Sequence, residues 1–338
     1  MLPSVGTRTM NHLITEASDD PLTLFRIWNG GMINQLMSIE IAAGMCSHFQ
    51  RIGMLYESCK LTTEANFTKN KRKISIKEII NVPEFLCFIT PEERDGFEAI
   101  NIASPATYYV GSADKEFSEG RSQLFLNRSQ NFHFESNLAN YSIVFRDRTK
   151  ILDTALSQVV FKSEYLQFAE AISSHLGDFN GIHIRLTDFS QQILSLSEND
   201  INKAFERISN IPVVIATDEP LSPKIKTHVD REISIESLIL DEFAKDFESL
   251  TIPNEVTLGL VSLLVLTHSR QFIGTPKSTY SNYVHRCINQ RKNGGHDWLS
   301  IGKQDPVFSG VYSWNSFPNM PIGQKLWEME WPESLLRL

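Results

Sequence analysis

Residues 181 to 189, GIHIRLTDF, decide the fold. An apolar run ends there at His183, Arg185 and Asp188, three ionisable groups placed where a strand gives way to its loop. Side chains alternate along a strand, so His183 and Arg185 are expected on one face and Ile182 and Ile184 on the other. One face is then left for chemistry. In open parallel sheets ligands collect beyond the carboxyl ends of the strands, and a forked, permanently charged guanidinium in that place suits a phosphate. The stretch reads as a diphosphate site at the end of a parallel strand. An Arg185–Asp188 pair that only ties down its loop is the competing reading.

Working outward, the pattern keeps alternating between helical and strand periodicity. A helix is predicted over 161–176, a helix over 198–208, a strand over 212–217, a strand over 232–235, a helix over 255–266, a short strand over 271–274 and a helix over 281–289. This is one Rossmann-like unit, assigned to residues 156–292. Toward the amino end, a strand over 22–28, a glycine turn over 29–32, a helix over 34–51 and a strand over 54–56 make a β-loop-α-β opening, the repeating element of a parallel sheet. Residues 60–150 mix short apolar runs with Pro83, Pro91 and Pro105 and are assigned only to a first domain spanning 1–155. The tail, 293–338, is rich in Gly, Pro and Trp (Trp298, Trp314, Trp327, Trp331) and is expected to pack as an extension on the domains. The expected architecture is α/β and GT-B-like, two Rossmann-like domains facing across a cleft, where domain junctions favour ligand binding.

Composition narrows the class. At 338 residues the chain is long enough for two cores, and 41% apolar with 21% charged residues is a globular balance. No stretch approaches the roughly 20 apolar residues of a membrane helix. The formal charge of −8 argues against nucleic acid as the main partner, and the one dense basic run, 69–73, is short. The first 20 residues carry Arg8, His12, Glu16, Asp19 and Asp20 without an apolar core, so no signal peptide or anchor is visible. A cytoplasmic or otherwise soluble protein is expected, and a secretory lumen stays open if an anchor was removed. Cys46, Cys59, Cys87 and Cys287 match neither a zinc site nor a dense disulfide framework and read as reduced, buried thiols. Sequons at Asn66, Asn127 and Asn140 leave the compartment undecided.

Three further places join the strand end at Arg185. Gly30 and Gly31, followed by Asn34 and Gln35 at a helix start, expose backbone N–H groups to an anionic or sugar ligand, or simply make a turn. Neither the dinucleotide fingerprint nor the Walker lysine loop is present, which argues against a dehydrogenase or a P-loop enzyme. The strand Val213-Val214-Ile215-Ala216 ends in Thr217, Asp218 and Glu219, and Asp218 has three readings. It meets ligand hydroxyls, braces the Arg185 loop, or caps a helix beginning near Pro220. Finally, Phe272-Ile273-Gly274 leads through Thr275, Pro276, Lys277, Ser278, Thr279 and Tyr280 into a helix, which makes a second anion cradle or a hydroxyl cap.

Taken in order, GGMINQLMSIEIAAG, GIHIRLTDF, VVIATDEP and FIGTPKSTYSNYVHR resemble the motifs of the GDP-fucose-dependent superfamily of protein O-fucosyltransferases, α1,6- and α1,2-fucosyltransferases. The last three, within 181–286, carry most of the likeness. The resemblance implies a GT-B fold with an acceptor-side first domain and a donor-side second domain. It also implies an inverting fucosyltransferase that uses GDP-fucose, needs no metal or other cofactor, and modifies a hydroxyl of a glycan or glycoprotein. Carried over by position, Arg185 holds the β-phosphate leaving group and His183 helps to seat the nucleotide. Ser278, Thr279 and Tyr280 contact the diphosphate, and Asp218 belongs to the donor side. Asn34 and the Gly30-Gly31 loop face the fucose and the acceptor. Asp188 is the candidate base, with Glu40 and His183 as others. Leu186 stands where one branch has a second arginine, and Ser262, with Glu255 upstream, stands near the usual guanine-reading Asp. The alternatives are the same fold with another nucleotide sugar such as GDP-rhamnose, a non-catalytic sugar-nucleotide or glycan binder, and a scaffold that uses the Trp-rich tail.

Overall fold

Strands that are apolar along their whole length, such as NGIHI at 180–184, belong in the middle of a parallel sheet covered on both faces. The computed structural model builds two such sheets. It describes residues 22–27, 32–57, 61–62, 73–95, 107–110, 131–134, 159–186, 196–208, 211–218, 221, 231–275, 278–292 and 299–301. The chain forms two compact units; in the described residues the main change between them falls between Val160 and Phe161, and Thr62 also belongs to the second.

In the first unit, strand β1 (Leu22–Ile27) is followed by helix α1 (Met32–Phe49) and strand β2 (Ile52–Glu57). Strands β3 (Leu86–Phe88), β4 (Thr107–Val110) and β5 (Asn131–Phe134) complete a sheet of order β3-β2-β1-β5-β4. Every pairing in it is parallel. The last three strands were not predicted. Each is three or four residues long and gains its identity from a distant partner rather than from a local period. Helix α1 is buried around its circumference, from Ile33 and Leu36 to Met45 and Cys46, and this removes Gln35, Ser38 and Glu40 from solvent as well. Arg51 closes the turn into β2 with Nε donating to Thr23 Oγ1 at 2.7 Å, and burial lowers its pKa to about 10. Cys46 is buried, with its thiol pushed up by desolvation, and Cys87 and Cys287 are half-buried, all three unbridged. Cys59 lies outside the described residues.

The second unit opens with helix α2 (Ser163–Leu176), which stops at Gly177 in the left-handed region with φ 67°. Strand β6 (Asn180–Ile184), helix α3 (Glu198–Glu206) and strand β7 (Val213–Thr217) follow. Next come strand β8 (Glu232–Ser234), helix α4 (Ile235–Glu242) and helix α5 (Glu255–Leu266). The unit ends with strand β9 (Phe272–Gly274), helix α6 (Thr279–Arg291) and strand β10 (Leu299–Ser300). Their order is β8-β7-β6-β9-β10, again all parallel. In chain order this is 3-2-1-4-5, the doubly wound arrangement, with its topological switch point between β6 and β9.

Caps set the helix starts. Ser197 and Asp200 form a reciprocal capping box on α3, and Asn254 and Thr257 form one on α5. Two expectations change. Strand β10 lies inside the segment read as an irregular tail, because two residues suffice for an edge strand once β9 supplies the ladder. The face of β6 expected to be left open is covered. Ile182 and Ile184 pack with Ile201, Phe205 and Ile215 on one side of the sheet. On the other side a Cβ added at Gly181 would lie 2.9 Å from Leu266 Cδ2 of α5, so helices close both faces. Chemistry is confined to the strand ends.

Candidate active site

At the switch point the hydroxyl side chains of Thr275, Ser278, Tyr280 and Ser281 follow the carboxyl end of β9. The ladder between the two strands ends at Ile182–Ile273. Beyond it Thr275 takes over. Its Oγ1 donates to the His183 carbonyl at 2.8 Å and accepts from the Arg185 N–H at 2.9 Å. One buried side chain thus replaces the missing ladder and fixes the backbone that carries Arg185.

Arg185 sits one residue past β6 and keeps 33% of its side chain exposed, as an anion-binding guanidinium requires. Its Nε lies 3.8 Å from Asp218 Oδ2, while Asp218 Oδ1 accepts from the Leu186 N–H at 2.7 Å. Among the described residues the brace reading of Asp218 is seen directly. The carboxylate at the end of β7 holds the loop after β6 through a backbone bond. At 3.8 Å and partly exposed, its ion pair with Arg185 is of the kind worth at most about 1 kcal/mol, so the short backbone bond is the stronger of the two contacts. Asp188, the other proposed partner of Arg185, lies outside the described residues.

His183 is buried near the end of β6, at 5% exposure. Its Nδ1 is 2.7 Å from Ser281 Oγ, and its ring stacks on Tyr280 with centroids 4.3 Å apart. Burial above all, then the Arg185 cation, lowers its pKa to about 3 against the smaller opposing pull of Asp218, so the ring is neutral at physiological pH. The Tyr280 hydroxyl donates to the Gly259 carbonyl at 3.2 Å, and burial followed by Glu236 raises its pKa well above the ordinary tyrosine value. Tyr280 therefore acts as a neutral ring wall whose hydroxyl is engaged with α5.

Ser278 caps α6, with Oγ accepting from the Ser281 N–H at 3.4 Å, so the hydroxyl-cap reading describes what it does in the free protein. Thr279 is the first residue of α6, and Asn34 lies in the first turn of α1; their side chains, and all of Gly30 and Gly31, lie outside the described residues. Glu40 is buried in α1. Ser262 is buried in α5 with no hydrogen-bond partner at Oγ among the described residues.

Three residues of the site escaped the sequence reading of roles. Thr275 and Ser281 flank the FIG cradle, and their signal was a hydroxyl directly after a strand and another three residues after the cap. Glu236 opens α4, a helix the pattern did not reveal. Burial and then the Asp218 charge raise its pKa, which places it beside the Asp218 brace. Among the described residues no three His, Cys, Asp or Glu side chains gather as a metal site, and no helix is long and apolar enough to cross a membrane.

No protein-family model and no curated protein sequence matches the chain. Solved structures do resemble it. A structure of POFUT1 in complex with GDP is 14% identical with a TM-score of 0.47, covering 84% of this chain and 99% of that one. The α-1,6-fucosyltransferase NodZ co-crystallised with GDP is 13% identical with a TM-score of 0.45, covering 78% and 91%. An Arabidopsis thaliana FUT1 mutant in complex with GDP is 9% identical with a TM-score of 0.44, covering 82% and 69%.

Proposed function

We propose that this chain is an inverting, metal-independent glycosyltransferase of GT-B architecture that transfers L-fucose from GDP-fucose to a hydroxyl of a glycan or glycoprotein. The observation that carries this reading is Arg185. It is a half-buried guanidinium one residue past the central strand, at the topological switch point, with its backbone pinned by Thr275 and its loop braced by Asp218. The order of the four motifs in the sequence supports it independently.

Breaking a sugar–diphosphate bond builds negative charge on the leaving β-phosphate and oxocarbenium character on the sugar. A guanidinium held in place before the reaction meets that charge without reorganising, which is worth about 3 kcal/mol at the transition state, or roughly a hundredfold in rate. The neutral His183 and the hydroxyls around α6 seat the nucleotide. The acceptor hydroxyl attacks from the face opposite the diphosphate, with Asp188 as the base and with Asn34 and the Gly30-Gly31 loop against fucose and acceptor.

Ser262 favours a second reading, the same reaction with a different nucleotide sugar. A buried serine on α5 offers one hydroxyl where a carboxylate would accept two guanine N–H donors. Calorimetric titration with GDP and GDP-fucose without added metal, followed by GDP-fucose hydrolysis by the wild type and Arg185→Ala, tests both. Micromolar binding with Arg185-dependent release of GDP is expected. Absence of binding to either ligand overturns the fucosyl reading, and binding of another nucleotide sugar in their place establishes the second.

A further inference from the structure

We infer that Ser281 is a positioning residue which fixes His183 as the Nε2–H tautomer, so that the ring acts as a neutral N–H donor toward the donor diphosphate and not as the base. The ligand half of this inference rests on the function proposed above; the tautomer half rests on geometry alone.

A serine hydroxyl has one proton and two acceptor sites. Ser281 is fully buried, and one acceptor site of its Oγ is taken by the Thr275 N–H at 2.9 Å. A backbone N–H can only donate, so the direction of that bond is fixed. The other partner of Oγ is His183 Nδ1 at 2.7 Å. A buried hydroxyl proton needs an acceptor, and among the described residues Nδ1 is the one within reach. The proton therefore lies on Oγ and points to Nδ1, and the neutral ring carries its own proton on Nε2. Either alternative, a proton on Nδ1 alone or on both nitrogens, turns Nδ1 into a donor and strands the serine proton in a dry site.

The arrangement is built tightly. Ser281 stands three residues after the Ser278 cap, on the first turn of α6. It reaches the end of β9 because residue 274 is glycine, where an added Cβ would fall 2.7 Å from Ser281 Cβ and 3.0 Å from its Oγ. Tyr280, the preceding residue, stacks on the same imidazole and fixes the ring plane. Nε2, across the ring from Ser281, has no hydrogen-bond partner among the described residues. The depressed basicity of His183, which follows first from burial and then from the neighbouring Arg185 cation, agrees with a neutral ring. A neutral N–H next to a guanidinium adds a second donor for phosphate oxygens without adding a second charge to bury.

The test is a long-range proton–nitrogen NMR spectrum of protein labelled with 15N-histidine, which has nine histidines, with His183 assigned by comparison with His183→Gln. The ligand-free wild type is expected to show an unprotonated Nδ1 and a protonated Nε2, and Ser281→Ala to lose that single-tautomer pattern. Added GDP is expected to shift Nε2 and its proton. Donor affinity should fall about tenfold in Ser281→Ala and about as far in His183→Gln, with the double variant no worse than either, because the two act as one unit. A protonated Nδ1 in the wild type overturns the inference, and that spectrum decides even if Ser281→Ala fails to fold. Unchanged His183 nitrogens in a folded Ser281→Ala overturn it too. GDP that binds without moving Nε2 overturns the ligand half alone. GDP that does not bind overturns the fucosyltransferase reading and leaves the tautomer standing.

Discussion

At the scale of single residues, the site separates two ways of holding positive character against a phosphate. Arg185 is charged at any working pH and exposed enough to meet a ligand, so its removal should act on the chemical step. Arg185→Ala is expected to lower kcat/KM by about a hundredfold or more, and Arg185→Lys to recover only part of it because the planar fork is lost. Steady-state kinetics with GDP-fucose checks both. His183 is the opposite case. Its folded pKa, about 3, lies below the ordinary 6.5, so between those values the unfolded chain binds a proton that the native state does not. Stability from this group is complete above pH 6.5 and is lost as the pH falls toward 3, by up to about 1.4 kcal/mol per pH unit. Denaturant unfolding between pH 7 and pH 4.5 should be markedly less pH-dependent in His183→Gln than in the wild type. The sequence identified both residues as ionisable groups at a strand end. It could not tell that one would be buried and the other partly exposed, because that depends on α5 and α6, distant in sequence, packing against the strand.

At the scale of elements, close approach governs the site. Gly274→Ala places a Cβ against Ser281 Cβ, which is fixed directly to the backbone of a capped helix and cannot swing aside as the end of a long side chain would. Its expected cost is about 1–3 kcal/mol in urea unfolding, with a loss of donor affinity because α6 moves away from His183. Gly259 is the contrasting case within α5. Its backbone is not in the left-handed region and an added Cβ meets nothing within 4 Å, so Gly259→Ala should stabilise the protein by about 0.5–1 kcal/mol, read from the same unfolding curves. The long elements were legible because each has its own period or caps. Strand β6, helix α2 and helix α5 have boundaries within a few residues of those predicted. Strands β3, β4, β5 and β10 and helix α4 were not, since two to four residues carry no period and the eight residues of α4 follow a strand without a break in apolar content.

At the scale of the molecule, each unit carries a five-stranded all-parallel sheet, and in the second the strand order places β6 beside β9. That neighbourhood gathers His183, Arg185, Thr275, Tyr280 and Ser281 at the carboxyl end of the sheet. A ligand bound there stabilises the folded state by mass action. GDP at one hundred times its dissociation constant should add about 2.7 kcal/mol, seen as a raised melting temperature, and Arg185→Ala should abolish most of the rise at the same GDP concentration.

The sequence by itself determined the α/β class, a crossover unit toward each end of the chain, and the ionisable and hydroxyl residues found at strand ends. These follow from side-chain periods and turn chemistry, which are written in neighbouring residues. Only the tertiary structure decided that both faces of β6 are covered, that Asp218 braces a loop through its backbone, that a fifth strand forms at Leu299–Ser300, and that Ser281 meets His183. Each of these depends on which distant segment pairs with or covers another, and long-range pairing leaves no mark in the local pattern of either partner.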